Sequence, residues 1–456
     1  MTQLVENKQV HLSHYRSFSG KAFSVAGAFV KTLRQSGIEK FEATGFPNAR
    51  QEDWRFTNFD PIARTPFVLA DFSDSPATSQ VAAQYAFGAD AAAEIVLVNG
   101  HFDPRLSRLS RLPRGAVVVS LADAIESHTD LVEAALGKHA AIDRNPFIAL
   151  NTGFLRDGAF IFVPRGAVVE KPIHVLVIST AGDVAAVSHP RVLVVAEANS
   201  EMSLVESYVG CSAGVSWTNA VTEIVVGEDA RVDHCKLQQE SQRAFHVAAT
   251  HVKLAARSNF VSHSATLGAQ LTRNDLSVVM AGPRAEATLN GLVVIGGRQH
   301  ADNHTLLDHA EPNCPSHELY KHVLSDQASG VFKGKILVRQ PAQKTDSKQT
   351  SKSLLLSDLA SMNSQPSLEI YADDVKCTHG STTGPVDEEM VFYLRSRGVG
   401  LEAARHLLTY AFAADITRRI RVAAVRQRLE DFLAAQHGLP RDLRITDLGD
   451  HNERAR

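Results

Sequence analysis

From about residue 158 onward the chain repeats a short unit that cannot fold alone. A brief apolar run is followed by a small or polar turn and then by a second brief run. Four such units overlay. They are Val192-Leu193-Val194-Val195 with its turn at Asn199-Ser200, and Ile224-Val225-Val226 with Glu228-Asp229. Val252-Lys253-Leu254 with Ser258-Asn259 and Leu276-Ser277-Val278-Val279 with Gly282-Pro283 follow. The turns recur about every 25 to 30 residues, and helix signals are almost absent between them. A unit that short buries its apolar face only by stacking on its neighbours. The pattern therefore favours coils stacked as a solenoid or β-helix. The competing reading is a β-sandwich or jelly roll, whose short strands also recur evenly. A chain of 456 residues is too long for one ordinary compact domain, and elongated repeat folds are the exception to that limit.

The flanks read differently. Ala22, Val25, Ala26, Phe29, Val30 and Leu33 recur at helical spacing, with Gly37 as a stop. A loop of aromatic character runs from Phe46-Pro47 to Trp54-Arg55-Phe56-Thr57, and Ile95-Val96-Leu97-Val98 is strand-like. A helix is expected from Leu121 to about Leu136, ended by Gly137, with a break at Asn145-Pro146. After Pro385, acidic Asp387-Glu388-Glu389 suit the first turn of a helix that carries Met390 and Leu394 and ends at Gly398. A second helix places Ala404, Leu408 and Phe412 on one face. A third is expected to carry Ile416, Ile420, Val425, Leu429 and Phe432, with Gly438-Leu439-Pro440 as its stop and a frayed, charged remainder. The division is thus 1–157, mostly helical with a strand-containing connector; 158–385, the β core; and 386–456, a helical C-terminal domain.

The segment Val375-Lys376-Cys377-Thr378-His379-Gly380 carries the chemistry. On a strand, residues i and i+2 share a face, so Cys377 and His379 would stand side by side. Thiolate and imidazole together suit zinc or iron in sulfide clusters. Two ligands do not complete a tetrahedral site. The plain alternative is a small buried thiol beside an incidental histidine. A second tract holds His300, His304, His309, His317, His322 and Cys314, at spacings that fit no compact ligand set.

Several function classes fall away. The formal net charge is −3, which gives no global attraction to nucleic acid. The N-terminus lacks the apolar stretch of a signal peptide, no run reaches the length of a membrane span, and four cysteines without a CxxC suit reduced thiols in a cytoplasm. There is no GxxxxGK[ST], GxSxG or HExxH, so neither P-loop hydrolysis nor those catalytic motifs are carried. Asp373-Asp374 leave room for a β-helical carbohydrate-active enzyme, against the absent secretion signal and an aromatic content of 7%. Arg418, Arg419, Arg421, Arg426 and Arg428 are read as a solvated face or a protein-docking one.

The densest motifs run from Ser316 to Gly400: Tyr320-Lys321, Val331-Phe332-Lys333-Gly334-Lys335, Gln343-Lys344-Thr345-Asp346 and Leu354-Leu355-Leu356-Ser357. Pro366-Ser367-Leu368-Glu369-Ile370, Cys377-Thr378-His379-Gly380 and Phe392-Tyr393-Leu394-Arg395-Ser396-Arg397-Gly398 continue the series, and Glu52-Asp53-Trp54-Arg55-Phe56-Thr57 adds a weaker match. In this order they resemble the SufB/SufD family of SUF iron–sulfur cluster assembly subunits. Only four cysteines, none closely paired, place the chain on the SufD side of that family rather than the SufB side.

The resemblance implies a right-handed parallel β-helix between helical N- and C-terminal domains, in a non-catalytic scaffold subunit. It implies pairing with SufB through the β-helix end and docking of the ATPase SufC on the C-terminal helices. The docking residues would be Tyr393, Arg395, Arg397, Leu408 and Phe412. A transient iron–sulfur cluster or iron would be shared with SufB, with His379 as ligand and Cys377 as a supporting thiolate. A reduced flavin in the complex and a homodimer in isolation are further implications. Thr378 and Ser381 depart from the usual Ser and Ala beside the pair and roughly keep their size. A purely structural interaction module remains the third reading.

Overall fold

The computed structural model describes residues 2–22, 27–72, 76–109, 112–211 and 214–436. Within them the repeat forms a parallel β-solenoid. One coil contributes a strand to each of two sheets, of twelve and eleven strands, so that each strand hydrogen-bonds the equivalent strand of the next coil. In the eleven-stranded sheet Glu201 lies beside Arg231, Arg231 beside Asn259 and Asn259 beside Glu286. In the other sheet Phe245 lies beside Leu271, Leu271 beside His300 and His300 beside Ser329. Because the register is strict, like stacks on like. Val194, Ile224, Val252, Val278, Leu307 and Ile336 form one inward column, ending at Leu368. That column is the spine of the main core.

The corners explain why the repeat looks so degenerate. Gly166, Asn199, Asp229, Arg257, Arg284, Asn313 and Lys344 all have left-handed backbone conformations. Each donates its N–H to a carbonyl at the same corner of the following coil: Asn199 to Glu228, Asp229 to Ala256, Arg257 to Pro283 and Arg284 to Pro312, at 2.8–3.1 Å. Few non-glycine residues tolerate positive φ, and here the coil-to-coil ladder imposes it. The expected turns at 199–200 and 228–229 contain the left-handed residue. At the next two coils the corner falls on Arg257 and Arg284, beside the expected Ser258-Asn259 and Gly282-Pro283. Arginine carries no turn signal, so composition pointed to its neighbours.

The two ends of the solenoid differ. At the first coil the chain caps itself with antiparallel strands: Val117–Ser120 on Gly158–Val163, and His101–Phe102 and Arg108–Leu109 on Ala93–Val98. Ala93–Val98 itself runs parallel to Ile173–Ser179 and belongs to the solenoid sheet. At the far end, Ser361–Ser364, Ser367–Ile370 and Lys376–Gly384 are outermost, and no described strand pairs with their outer edges.

Helices flank this body. In the N-terminal region Thr2–Ala22 and Ala28–Thr44 are helical; Val25 and Ala26 lie outside the described residues. Gly37 is not a stop. It sits inside the second helix, which ends at Gly45 with φ 67°. A Cβ at Gly37 would lie 2.6 Å from the Gly153 nitrogen and 2.7 Å from the Ala149 carbonyl oxygen, so the glycine permits close approach of helix Pro146–Gly153. The helix expected over 121–136 is two helices, Leu121–Ser127 and Thr129–Ala135, broken at His128 (φ −130°). The Thr129 hydroxyl caps the Ile125 carbonyl at the break.

At the C-terminus, Glu388–Ser396 starts at Asp387, whose carboxylate accepts from the Glu389 and Met390 backbone N–H groups. Leu401–Thr417 and Ala423–Gln436 follow. Ile416 belongs to the second of these helices and Ile420 to the link after it, a correction to the expected third helix. Gly438-Leu439-Pro440 and the charged remainder lie outside the described residues. The last two helices fold back on the outer face of the eleven-stranded sheet, where Tyr410, Ala413, Ile416, Val425 and Leu429 cover Val205, Cys235, Leu292 and Val323.

Replacing Gly37 with alanine forces backbone apart from backbone, which no rotamer change relieves. We expect Gly37→Ala to lower the unfolding free energy by about 1–3 kcal/mol. Urea denaturation checks this, and an unchanged midpoint would contradict the close packing.

Candidate functional site

The last strand, Lys376–Gly384, lies parallel to Asp346–Leu355. Cys377 stands beside Ser347 and His379 beside Gln349, both of them buried positions of the preceding coil. The two candidate residues thus continue inward-facing columns, on the shared face that the spacing predicted. Cys377 is half-buried and touches the end of the main core, while His379 is exposed. Burial, and secondarily the charge of Asp346, pushes the Cys377 thiol up, only partly offset by a hydrogen bond from the Ser347 backbone. The group is therefore a neutral thiol until a metal or a partner's cation draws off its proton. Among the described residues no three His, Cys, Asp or Glu side chains converge as a metal site. Cys377 and His379 stand together on the last described strand of the solenoid.

The histidine tract does not form a site. His300 bonds to Ser329 and Thr57, and His304 lies 3.0 Å from Asp302, both on the outer face of the twelve-stranded sheet. His309 and His322 point inward, His317 is exposed, and Cys314 is buried at a corner against the Gly282 carbonyl. Asp374 is engaged by Lys344 across the last corner.

The docking candidates separate into two groups. Tyr393, Arg395 and Arg397 are exposed on or just after helix Glu388–Ser396, with the Arg397 guanidinium 5.4 Å from the Tyr393 ring centre. Leu408 and Phe412 are half-buried and pack against Leu354, Val386, Val391 and Ala404. Lys321 reinforces Phe412, lying over its ring and donating to its carbonyl at 2.9 Å. Those two side chains hold the helices to the solenoid. Met390, expected beside Leu394 on this helix, and Phe392 are both exposed, the latter 73%. Arg428 is half-buried: it donates to the Tyr85 and Gln84 carbonyls and lies over Tyr85 and Phe87.

Sequence reasoning also missed the polar bore behind the site. Inside the solenoid, Glu206 accepts from Tyr208 (2.6 Å) and Thr222 (2.9 Å), and lies 2.9 Å from His234. Glu240 accepts from Thr218 and Gln238 and sits 2.8 Å from His246. Lys236, pushed down to about 8 by burial, donates to Asn274. Nearer the open end, His309, Ser316 and Ser347 form a hydrogen-bonded row at 3.0 and 2.7 Å, and Cys377 is next in register. Glu318 accepts from Gln349 at 2.7 Å, and His379 is next in register there. Charged residues on strands are ordinarily read as solvent-facing, so alternation alone concealed them.

Comparison with known proteins agrees with this architecture. The SUF system FeS cluster assembly SufBD core domain matches residues 177–412, and the SufBD protein N-terminal region matches residues 5–175. The chain belongs to the SufBD family of the SUF iron–sulfur cluster assembly system. It is 32% identical to a SufBD family iron–sulfur cluster assembly protein of Synechocystis, over 88% of this chain and 90% of that one. It is 30% identical to the iron–sulfur cluster assembly protein SufD of Escherichia coli, over 89% of this chain and 93% of that one. For SufD of Bacillus subtilis the identity is 26%, over 92% and 96%. Among the described residues no helix is long and apolar enough to cross a membrane.

Burial pushes Glu318 up to about 7, with the hydrogen bond from Gln349 pulling the other way. Between about pH 4.5 and 7 the folded chain keeps a proton that the unfolded chain releases, so stability falls as pH rises through that window. Glu318→Gln is therefore expected to be nearly neutral at pH 5 and stabilising by roughly 3 kcal/mol at pH 8. Denaturant titrations at the two pH values check this, and superimposed curves at pH 8 would refute it.

Proposed function

We propose that this chain is the SufD-type, non-catalytic scaffold subunit of a cytoplasmic SUF complex, and that its open solenoid end is one half of a cluster-assembly site. The observation that carries the reading is the asymmetry of the ends. The first coil is capped by the chain's own antiparallel strands, whereas among the described residues no strand pairs with the outer edge of the last strand, which bears Cys377 and His379. A long free edge is a template for another strand, and proteins ordinarily cover it. A SufB paralogue built from the same coils would continue the sheet and bring the missing donors to His379 and Cys377.

In this reading His379 offers a neutral imidazole lone pair, and Cys377 becomes a ligand when metal displaces its proton. Iron and sulfide are cargo. The energy source is a separate ATPase, SufC, held by the exposed face of helix Glu388–Ser396. A second copy of this chain is the alternative occupant of the free edge when SufB is absent.

Two experiments test the proposal. In a complex coexpressed with SufB and SufC, His379→Ala is expected to leave subunit stoichiometry intact and lower bound iron and sulfide severalfold. Normal cluster content in that purified complex would overturn the ligand assignment. Separately, Phe392→Glu is expected to reduce copurifying SufC at least tenfold with an unchanged melting temperature, because the Phe392 ring is 73% exposed. Undiminished SufC would move the docking surface elsewhere.

A further inference from the structure

A second candidate site lies on the outer face of the other sheet. A groove of about 970 Å³ runs between that face and the segment 134–148, and reaches Trp54 at one side. Every carboxylate that lines it is already taken. Asp53 is paired with Lys333 at 2.8 Å, Asp275 with Arg273 at 2.8 Å and Asp308 with Arg339 at 2.7 Å. Lys335 is held by Glu369 at 2.6 Å. The cations left over are Lys138, Arg144 and Lys253, which line the groove and form no ion pair among the described residues. Such a surplus in a concave site attracts an anion.

The cationic wall is built rather than incidental. The buried carboxylate of Glu223 accepts backbone N–H groups from Gly137 (2.9 Å), His139 (2.9 Å) and Ala140 (3.1 Å), and pairs with the buried Arg191. This pins the turn that carries Lys138 against the sheet. In the floor, Nε2 of His251 is buried without a hydrogen-bond partner, an unmet polar group of the kind a ligand satisfies.

The other floor charges, Asp275 and Asp308 among them, are neutralised in pairs, and uncharged side chains lie between them. Strand alternation turns Ser277, Val279 and Leu306 outward between the cations. Val279 is beside Lys253 in register, and Leu306 lies between Ser277 and Lys335. With coils about 4.8 Å apart, the row from His251 through Ser277 and Leu306 to Lys335 covers roughly 14 Å. A bare phosphate would leave Ser277, Val279 and Leu306 untouched. A groove with convergent polar groups at one end and apolar surface beyond is the usual form of a small-molecule site.

We propose that this groove binds a phosphorylated organic molecule of nucleotide size. Its phosphate is held by Lys138, Arg144 and Lys253, and its uncharged part lies over Val279 and Leu306 toward Trp54. The assignment is independent of the cluster-assembly reading, since Cys377 and His379 belong to the other sheet.

The test uses the purified full-length chain, titrated with the four common ribonucleoside diphosphates, inorganic pyrophosphate and a polyglutamate peptide. Calorimetry and tryptophan emission are the readouts; Trp54 borders the groove and Trp217 is buried in the core. We expect saturable one-site binding of at least one nucleotide in the micromolar range, at least tenfold tighter than pyrophosphate and weakened by salt. A Lys138→Ala/Lys253→Ala variant should bind at least tenfold more weakly, with an unchanged melting temperature. No saturable nucleotide binding below millimolar concentration would overturn the proposal. So would equal affinity for pyrophosphate, undiminished binding by the double variant, or tighter binding of polyglutamate, which would make the groove a surface for an acidic protein segment.

Discussion

Everything in this molecule depends on coil-to-coil backbone pairing in strict register. Each strand satisfies its N–H and C=O groups on the equivalent strands of the coils before and after it, and the corners do the same through left-handed residues. Stacking identical positions fixes what a side chain meets: its own counterpart one coil away. Hence the aliphatic column from Val194 to Leu368, and hence also the constraint that any change in one coil is felt by two neighbours.

The same register makes a polar interior affordable. Burying Glu206, Glu240 or Lys236 singly would cost several kcal/mol. Stacked coils bring Tyr208, Thr222, His234, Thr218, Gln238 and Asn274 to them, so that each charge is hydrogen-bonded or paired. Polar groups thereby persist among the aliphatic columns of the bore up to the last coil, where two inward columns end at Cys377 and His379. A solenoid cannot satisfy its final coil from within. The N-terminal region meets that demand at one end with antiparallel strands, and the other end presents its donors on a free edge.

Side chains outside the coils were harder to read. Gly37 was taken for a helix stop because isolated glycine usually is one, yet its role is set by the backbone of Pro146–Gly153, more than a hundred positions away. Leu408 and Phe412 lay on the correct apolar face, and that face turned out to belong to the solenoid contact. Phe392 belongs to no periodic stripe, and only the structure shows that its ring is exposed. The groove was invisible because its charges matter only by subtraction. Which cations remain unpaired depends on which carboxylates reach them, and Lys333, for example, meets Asp53 from a distant part of the chain.

The amino-acid sequence by itself determined the repeat, the strand character of the core, the helical flanks and the Cys377/His379 pair on one face. Those follow from local rules: alternation, apolar period and the two-residue pitch of a strand. Only the tertiary structure decided that the pair sits on an uncapped end and that charged residues line the bore. It alone decided, too, that Lys138, Arg144 and Lys253 are left over where the other charges of the groove are paired. Each of these depends on which side chains from distant coils meet, and the period of a degenerate repeat does not carry that information.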